Sequence, residues 1–183
     1  MANVEGKATA ITVLTPVRRG GGLWLAVVFW AGRHITATLK KLQMLSFIHY
    51  ARWAVIERFP DAGRGERLNH SYLFFESNFN GTWDQYIDAF SEVVPERMKA
   101  IWGTSHGFPG PIPVEPFKEY IRRNEFVADH YWSAYPEATT TEIVSAARVA
   151  AALEDFRDRS AGLEPAAFEA AYEELLTHLG RDL

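Results

Sequence analysis

The stretch FFESNFNGTWDQYIDAF, residues 74–90, decides how the chain folds. It opens with aromatic residues of the kind that favour a buried strand. Asn80 and Gly81 then indicate a turn, because both residues tolerate positive φ angles. Thr82 and Gln85 follow as a T-x-x-Q capping box, in which the side chains satisfy free N–H groups at a helix start. The stretch therefore predicts a strand, a tight corner and an amphipathic helix in direct succession.

Three further segments have the β-branched and aromatic composition of strands. Together with the segment before the corner, the predicted strands are residues 10–17, 46–59, 70–79 and 126–136. In the second of these, Phe47, His49 and Trp53 alternate with Tyr50 and Arg52, so the two sets point to opposite faces. Neither face is plainly polar, which predicts that both faces of the sheet are covered.

Residues 23–42 carry apolar side chains at helical spacing. A second apolar face at Leu23, Val27 and Trp30 predicts burial of this helix on two sides, and a strand is the competing prediction for its first nine residues. Two arginines and three glycines before the run imitate an export signal. The apolar run is too short to span a bilayer and a strand precedes it, so we predict a buried helix and no membrane partner.

Composition narrows the classes of function. The 183 residues contain no cysteine, which excludes disulfides and thiolate metal sites and suits a cytoplasmic protein. The net charge of −4 comes without a basic stripe, so we predict no nucleic-acid partner. Aromatic residues make up 14% of the chain, which favours a bulky core, an aromatic-lined pocket or a subunit interface.

The predicted order of elements is β-α-β-β-α-β followed by two helices. This is the ferredoxin-like pattern of an α+β protein, with an antiparallel four-stranded sheet and both main helices on one face. We predict a ferredoxin-like domain at residues 1–137 and a helical extension, packed on it, at residues 138–183. The second face of the sheet then has to be covered by another subunit, by the trailing helices, or around an enclosed cavity.

Several motifs resemble those of the dimeric α+β barrel superfamily and, within it, a bacterial family of mostly unassigned function. They are HYARWAVIE, LFFESNFNGTWDQYI, GFPG, FKEYIRRN and YWSAYP. The resemblance implies a homodimer in which two sheets pack face to face, with a pocket between the sheet and helices of each subunit. Some members of the superfamily oxidise aromatic substrates without a cofactor, some bind haem and some degrade small acids. The G-x-x-D-G motif of its haem peroxidases is absent here.

Candidate site residues cluster on the second strand. Arg52 suits an anionic substrate, and the alternative is an ion pair with Glu76 or Asp129. His49 and His130 are candidates for a base or for metal ligands, but two histidines without a third ligand are a weak metal signal. We therefore predict no metal site.

The pattern GTSHG at residues 103–107 matches G-x-S-x-G, but a helix precedes it where a nucleophile elbow needs a strand. His106 remains a catalytic candidate because loops on a rigid scaffold often carry function. Asn78 is a candidate amide donor to a developing oxyanion, since an amide in an aromatic strand needs partners. Trp53 is a candidate substrate contact, with core filling as the alternative.

The leading hypothesis is a small-molecule enzyme that performs oxidation or proton transfer on a small aromatic or anionic substrate. The predicted catalytic residues are His49, Tyr50, Arg52 and His106, and the predicted substrate contacts are Asn78, Trp53 and His130. The alternative is a non-catalytic module that dimerises and binds a ligand or partner. A haem protein is the third hypothesis, although no cofactor is predicted.

Overall fold

The structure is a computed structural model that describes residues 3–34, 44–58 and 67–182. The chain forms two compact units, residues 1–137 and residues 138–183, which we call the first and second units. The first unit contains a sheet and the second is helical. The later part of the predicted helix 23–42 and most of the predicted loop at 60–70 lie outside the described residues.

A four-stranded antiparallel sheet forms the first unit, in the order β1-β2-β4-β3. The strands are β1 (Asn3–Glu5), β2 (Ala8–Val17), β3 (Ile48–Arg58) and β4 (Arg67–Asn80). β2 and β3 run parallel to each other, because each pairs antiparallel with β4 between them. Helix α1 (Gly21–His34) connects them, which makes a split βαβ unit. The predicted α+β class and antiparallel four-stranded sheet are confirmed.

The outer edge of β2 differs from the prediction. Residues 126–136 form no strand, and β1 takes that place by pairing with the start of β2. Glu125 still bridges to Val13, and the Phe126 N–H donates to the Thr12 carbonyl at 2.8 Å. The chain cannot continue along β2 from there because β1 occupies the rest of that edge. The predicted strands at 10–17, 46–59 and 70–79 form as β2, β3 and β4. The observed order begins ββαββ, because β1 precedes the first predicted strand and the predicted last strand at 126–136 does not form.

The corner at residues 74–90 forms as predicted. β4 ends at Asn80, Gly81 has a φ of 100°, and helix α2 (Trp83–Val93) begins after Thr82. The Gln85 N–H donates to the Thr82 hydroxyl at 3.3 Å, and the Thr82 N–H donates to the Gln85 side chain at 3.2 Å. This capping box contributes about 1 kcal/mol to helix stability and sets the direction in which α2 leaves the sheet.

Helices α2, α3 (Pro95–Trp102) and α4 (Val114–Asn124) pack on the same face of the sheet as α1. The restart of the chain at Pro95 is the predicted break between two helices. Aromatic rings fill the layer between sheet and helices. Phe75 lies 5.1 Å from both Trp53 and Trp102, measured between ring centroids, and Phe79 stacks on Tyr86 at 3.9 Å. We call this the covered face.

Helix α1 is buried on one side only. Leu25 is fully buried in the core of the first unit. Leu23, Val27 and Trp30 are instead 76%, 53% and 62% exposed, so the prediction that α1 is buried on two sides is wrong. No described element of the first unit packs on that side of the helix deeply enough to cover these side chains.

The second unit consists of helices α5 (Thr140–Ser160) and α6 (Pro165–Leu179). Thr139 and Glu142 form the predicted capping box at the start of α5. Phe156, Leu175 and Leu179 make a small core between the two helices. This pair of predicted helices is confirmed.

Candidate functional site on the open face of the sheet

The side chains of each strand alternate between the covered face and a second face, which we call the open face. On β4, Leu73, Phe75, Ser77 and Phe79 are buried on the covered face. Strand register places the remaining side chains together on the open face. On β2 these are Thr12, Leu14 and Pro16, together with Ala8 and Ala10, which are buried. On β3 they are Tyr50, Arg52, Ala54 and Ile56, and on β4 they are Tyr72, Phe74, Glu76, Asn78 and Asn80. Apart from the two alanines, all of them are half-buried or exposed.

Tyr50, Arg52 and Glu76 form one hydrogen-bonded set on this face. The Arg52 Nε donates to Glu76 Oε2 at 2.7 Å, and the second guanidinium nitrogen lies 2.6 Å from the same oxygen. The Tyr50 hydroxyl donates to Glu76 Oε1 at 3.2 Å. The Arg52 guanidinium also lies 5.3 Å from the centroid of the Phe74 ring. Arg52 is therefore paired with Glu76, as the alternative to anion binding predicted.

Two phenols share this end of the open face and keep their protons in neutral solution. Burial raises the pKa of Tyr50, and the charge and hydrogen bond of Glu76 raise it further, against the opposing effect of Arg52. Burial also raises the pKa of Tyr131, with the Glu5 carboxylate adding to the effect. Tyr131 was not predicted, because only the path of residues 126–136 beside β1 brings it near Tyr50.

Asn78 lies directly opposite Tyr50 across the β3–β4 pair. Its Oδ1 atom is buried and has no hydrogen-bond partner among the described residues. A buried amide oxygen without a donor is costly, and such an atom marks a place where a donor is expected to bind. Asn80, by contrast, donates its amide to the Lys7 carbonyl at 3.0 Å and serves the corner.

The structure separates the other β3 candidates from this set. A bulge between Ile48 and Tyr50 holds His49, whose Nε2 is buried without a partner among the described residues. Trp53 points to the covered face, where it packs against Phe75 and Trp102. Core filling therefore accounts for Trp53, and its predicted substrate contact does not share a face with Tyr50 and Arg52.

Neither His106 nor His130 belongs to the open-face set. His106 lies near the other end of the sheet, and the His130 side chain is exposed to solvent. The His106 N–H donates to the carbonyl of Pro16, which pairs with Tyr72. Tyr72 is six residues along β4 from Asn78, a separation of about 20 Å. His130 is exposed in the 126–136 segment. Among the described ranges, no group of three or more His, Cys, Asp or Glu side chains is arranged to hold a metal ion.

The GTSHG pattern is structural. The Ser105 hydroxyl is fully buried and shares a 2.9 Å hydrogen bond with the Thr15 hydroxyl. Residues 103–107 form the turn that follows α3, as predicted, and the serine is not presented as a nucleophile. His106 instead lies 6.4 Å from His70, measured between ring centroids.

A cavity of about 390 Å³ opens at the start of α1, away from the open-face set. Its walls include Arg18, Arg19, Leu23, Glu57 and His70. Mixed charges line it, and the Glu57 carboxylate approaches the Gly22 backbone. Both arginines and Leu23 therefore lie around one cavity at the N-terminal end of α1.

Comparisons of the chain with protein-family models, with curated proteins and with solved structures give no match. The resemblance to the dimeric α+β barrel superfamily therefore rests on the sequence motifs and on the split βαβ sheet. In the described part of the chain, no helix combines the length and apolar character needed to cross a bilayer.

Proposed function

We propose that this chain is a cytoplasmic small-molecule enzyme with the ferredoxin-like architecture of a dimeric α+β barrel. Its site lies on the open face around Tyr50, Arg52, Glu76 and Asn78. The observation that carries the proposal is the hydrogen-bonded set of Tyr50, Glu76 and Arg52 beside the buried, unpartnered Oδ1 of Asn78. Small-molecule sites are clefts that combine apolar and aromatic walls with a few placed polar groups. Here the open face supplies one wall, and the proposal requires a second copy of the chain to supply the other.

Proton transfer is the chemistry that these groups support. Arg52 binds one oxygen of Glu76, which leaves Oε1 directed at the Tyr50 hydroxyl. A substrate enol hydroxyl that replaces Tyr50 at Oε1 transfers its proton to the carboxylate, and the resulting carboxylic acid delivers that proton to a carbon of the same substrate. The C=C bond of the enol is replaced by a C–H bond and a carbonyl, so the reaction is a tautomerisation in which no other group is transferred. Tyr50 keeps its own proton and donates a hydrogen bond to the oxygen on which negative charge develops.

The residues favour an aromatic, hydroxyl- or amino-bearing substrate over a simple anion. Glu76 already neutralises Arg52, so the guanidinium offers little to a second carboxylate. The Oδ1 atom of Asn78 accepts a hydrogen bond and therefore requires an N–H or O–H group on the substrate. Phe74 and Tyr72 provide half-buried rings beside the polar set.

A second copy of the chain completes the proposed site. Leu14, Ile56, Tyr72 and Phe74 leave a half-buried apolar surface around the polar set. A stable homodimer through this surface would bury more than about 1,000 Å² in total. Exclusion of water strengthens the electrostatic interactions of Glu76 and Arg52 with a bound substrate.

A screen of small phenols and aromatic amines by ligand-observed NMR tests the proposal. We expect ligands that bind the wild-type chain to bind at least about tenfold more weakly to Asn78→Ala and Glu76→Gln, because each loses a charge-assisted or buried hydrogen bond. Glu119→Gln is the matched control, since Glu119 is an exposed acid on α4 paired with Arg123 at 3.6 Å. Ligands whose affinity is unchanged in both open-face variants would overturn the proposed site.

The second candidate is a non-catalytic module that dimerises or binds a partner through the open face. The apolar surface of Leu14, Ile56, Tyr72 and Phe74 favours it. In that case Phe74→Glu disrupts association in analytical ultracentrifugation, and Glu76→Gln leaves ligand binding unaffected. Haem binding is the third candidate, and a Soret band in freshly purified protein would favour it over both.

A further inference from the structure

Helix α1 presents an apolar stripe that the fold of the first unit does not use. Leu23, Val27 and Trp30 follow one another at four- and three-residue spacing, so they lie on one side of the helix. They are among the more exposed large apolar side chains of the described residues. We call these three residues the α1 stripe. Exposed apolar surface grouped in this way marks an interaction site.

The orientation of the α1 stripe is set by contacts on the other side of the helix. Leu25 is fully buried in the core of the first unit. The Trp24 indole N–H donates to the Ala100 carbonyl of α3 at 2.7 Å. The Trp30 ring stacks on His34 at 4.8 Å, and the His34 ring bonds the Trp30 carbonyl. The contacts of Trp24 and Leu25 hold α1 against the unit and direct the stripe outward, whereas the contact between Trp30 and His34 lies within α1.

Positive charge brackets the stripe at both ends. Arg18 and Arg19 line the same cavity as Leu23, so they lie beside its N-terminal end. Arg33 occupies the last turn of α1. The sequence of α1 contains no acidic residue. The positive charge around α1 is local, because the chain as a whole has a net charge of −4.

The acidic residues on neighbouring elements do not cancel this pattern. Glu57 of β3 lies against the Gly22 backbone, at the end of α1 where a negative charge is stabilising. Glu96 of α3 is paired with Lys99 at 2.9 Å. Neither Arg18 nor Arg19 has an ion pair within the described ranges. The N-terminal end of the stripe therefore carries an excess of positive charge.

We propose that α1 binds the surface of an anionic phospholipid bilayer and lies parallel to it, with the α1 stripe inserted at the boundary between headgroups and acyl chains. A helix of 14 residues is about 21 Å long, too short to span a bilayer but sufficient to lie in its interface. Tryptophan is enriched at that depth. Arginines beside an apolar stripe interact with anionic headgroups, which the cytoplasmic leaflet supplies.

This inference goes beyond the proposed function and does not depend on it, because the α1 stripe and the open face are different surfaces. It revises the expectation of no membrane partner. That expectation rested on the shortness of the apolar run. A short run excludes a helix that crosses the bilayer, but it does not exclude a helix that lies on the bilayer surface.

Sedimentation with lipid vesicles tests the proposal. We expect the wild-type chain to bind vesicles of phosphatidylcholine mixed with phosphatidylglycerol, to bind pure phosphatidylcholine far less, and to bind less as salt concentration rises. Leu23→Glu and Trp30→Glu should each weaken binding at least about tenfold, because they remove buried apolar area and add a repelled charge. Tyr50→Phe should bind as the wild type does, which separates this test from that of the proposed function.

Leu153→Glu is the matched control, since Leu153 is an exposed leucine on helix α5 that is 47% exposed. It should bind vesicles like the wild type. Because Leu23 and Trp30 are exposed, their variants should unfold at the wild-type temperature, and circular dichroism checks this. Absent binding to anionic vesicles, or equal binding by the three glutamate variants, would overturn the proposal. A third outcome would also overturn the proposal: the wild-type chain does not bind vesicles but forms an oligomer, and Leu23→Glu dissociates that oligomer. The α1 stripe would then be a protein interface.

Discussion

Phe74 and Phe75 are neighbours in the chain but belong to different surfaces. Phe75 is 3% exposed on the covered face, where its ring lies between those of Trp53 and Trp102. Phe74 is half-buried on the open face, under the Arg52 guanidinium. The covered face is filled by interlocking rings, whereas the open face combines separate rings with a charged, hydrogen-bonded set.

The difference indicates a division of roles between the two faces. Side chains on the covered face stabilise the fold, because their burial removes apolar area from water. The open face contributes less to stability in a single chain and carries the groups that have chemistry to offer. Substitutions that compare the two faces can therefore separate effects on folding from effects on function.

Phe75→Ala and Phe74→Ala make the most direct test of this comparison. Phe75→Ala should lower the free energy of unfolding by about 3–5 kcal/mol, because it leaves a cavity among packed rings. Phe74→Ala should cost only about 1 kcal/mol, since the ring is half-exposed. Urea denaturation measures both values. Equal losses would contradict the division, and a Phe74→Ala loss that grows with protein concentration would show that a second copy covers the open face.

Thr82→Ala tests how firmly the corner holds α2 on the covered face. Loss of the capping hydroxyl should lower the free energy of unfolding by about 1 kcal/mol. Thr141→Ala is the control, because Thr141 lies inside α5 and has no capping role. Its effect should be close to zero or slightly stabilising, since alanine favours helix more than threonine does. A similar loss in both variants would argue against the capping interaction.

Arg52→Met and Glu76→Gln probe the electrostatics of the open face. Each should change the free energy of unfolding by no more than about 1 kcal/mol, because the Arg52 side chain is 66% exposed. Their effects on the Tyr50 pKa should have opposite signs. Arg52→Met raises it by removing a cation, and Glu76→Gln lowers it by removing an anion. NMR titration of labelled tyrosine measures the two shifts, and shifts of the same sign would refute the hydrogen-bonded set.

Glu125→Gln gives the smallest and most pH-dependent effect. Burial raises the pKa of Glu125, against the Trp83 indole N–H that donates to its Oε2 at 2.8 Å. A carboxyl with a raised folded pKa favours the folded state below its unfolded pKa and loses that contribution as pH rises through the folded value. Glu125→Gln should therefore slightly raise the melting temperature at pH 7, with the difference vanishing near about pH 4.

Glu92→Gln serves as the control for that measurement, because Glu92 is an exposed acid on α2. Its melting temperature should follow the wild type across the same pH range. A Glu125→Gln variant that is less stable than the wild type at pH 7 would show that the charged hydrogen bond to Trp83 outweighs the cost of burial.

Most features of the fold that were predicted correctly depend on interactions between residues close together in the sequence. The corner at residues 74–90, the capping box at Thr139 and the break at Pro95 depend on residues a few positions apart, and all three form. Glu76 is one of the two carboxylates predicted as ion-pair partners of Arg52, and the register of β3 and β4 places these two residues directly opposite each other. The predicted site nevertheless joined Trp53 to Tyr50 and Arg52, although these lie on opposite faces.

Neighbouring residues were sufficient to place the corner at residues 74–90, the start of α5 and the break at Pro95, because turns, caps and prolines act over a few residues. They could not show that Asn3–Glu5 rather than residues 126–136 completes the sheet, because two segments compete for one edge of β2 and the fold selects between them. The tertiary structure also decided that the α1 stripe faces outward and that Asn78 Oδ1 is left without a donor. Both outcomes depend on which surfaces meet across the fold, and no local pattern encodes that.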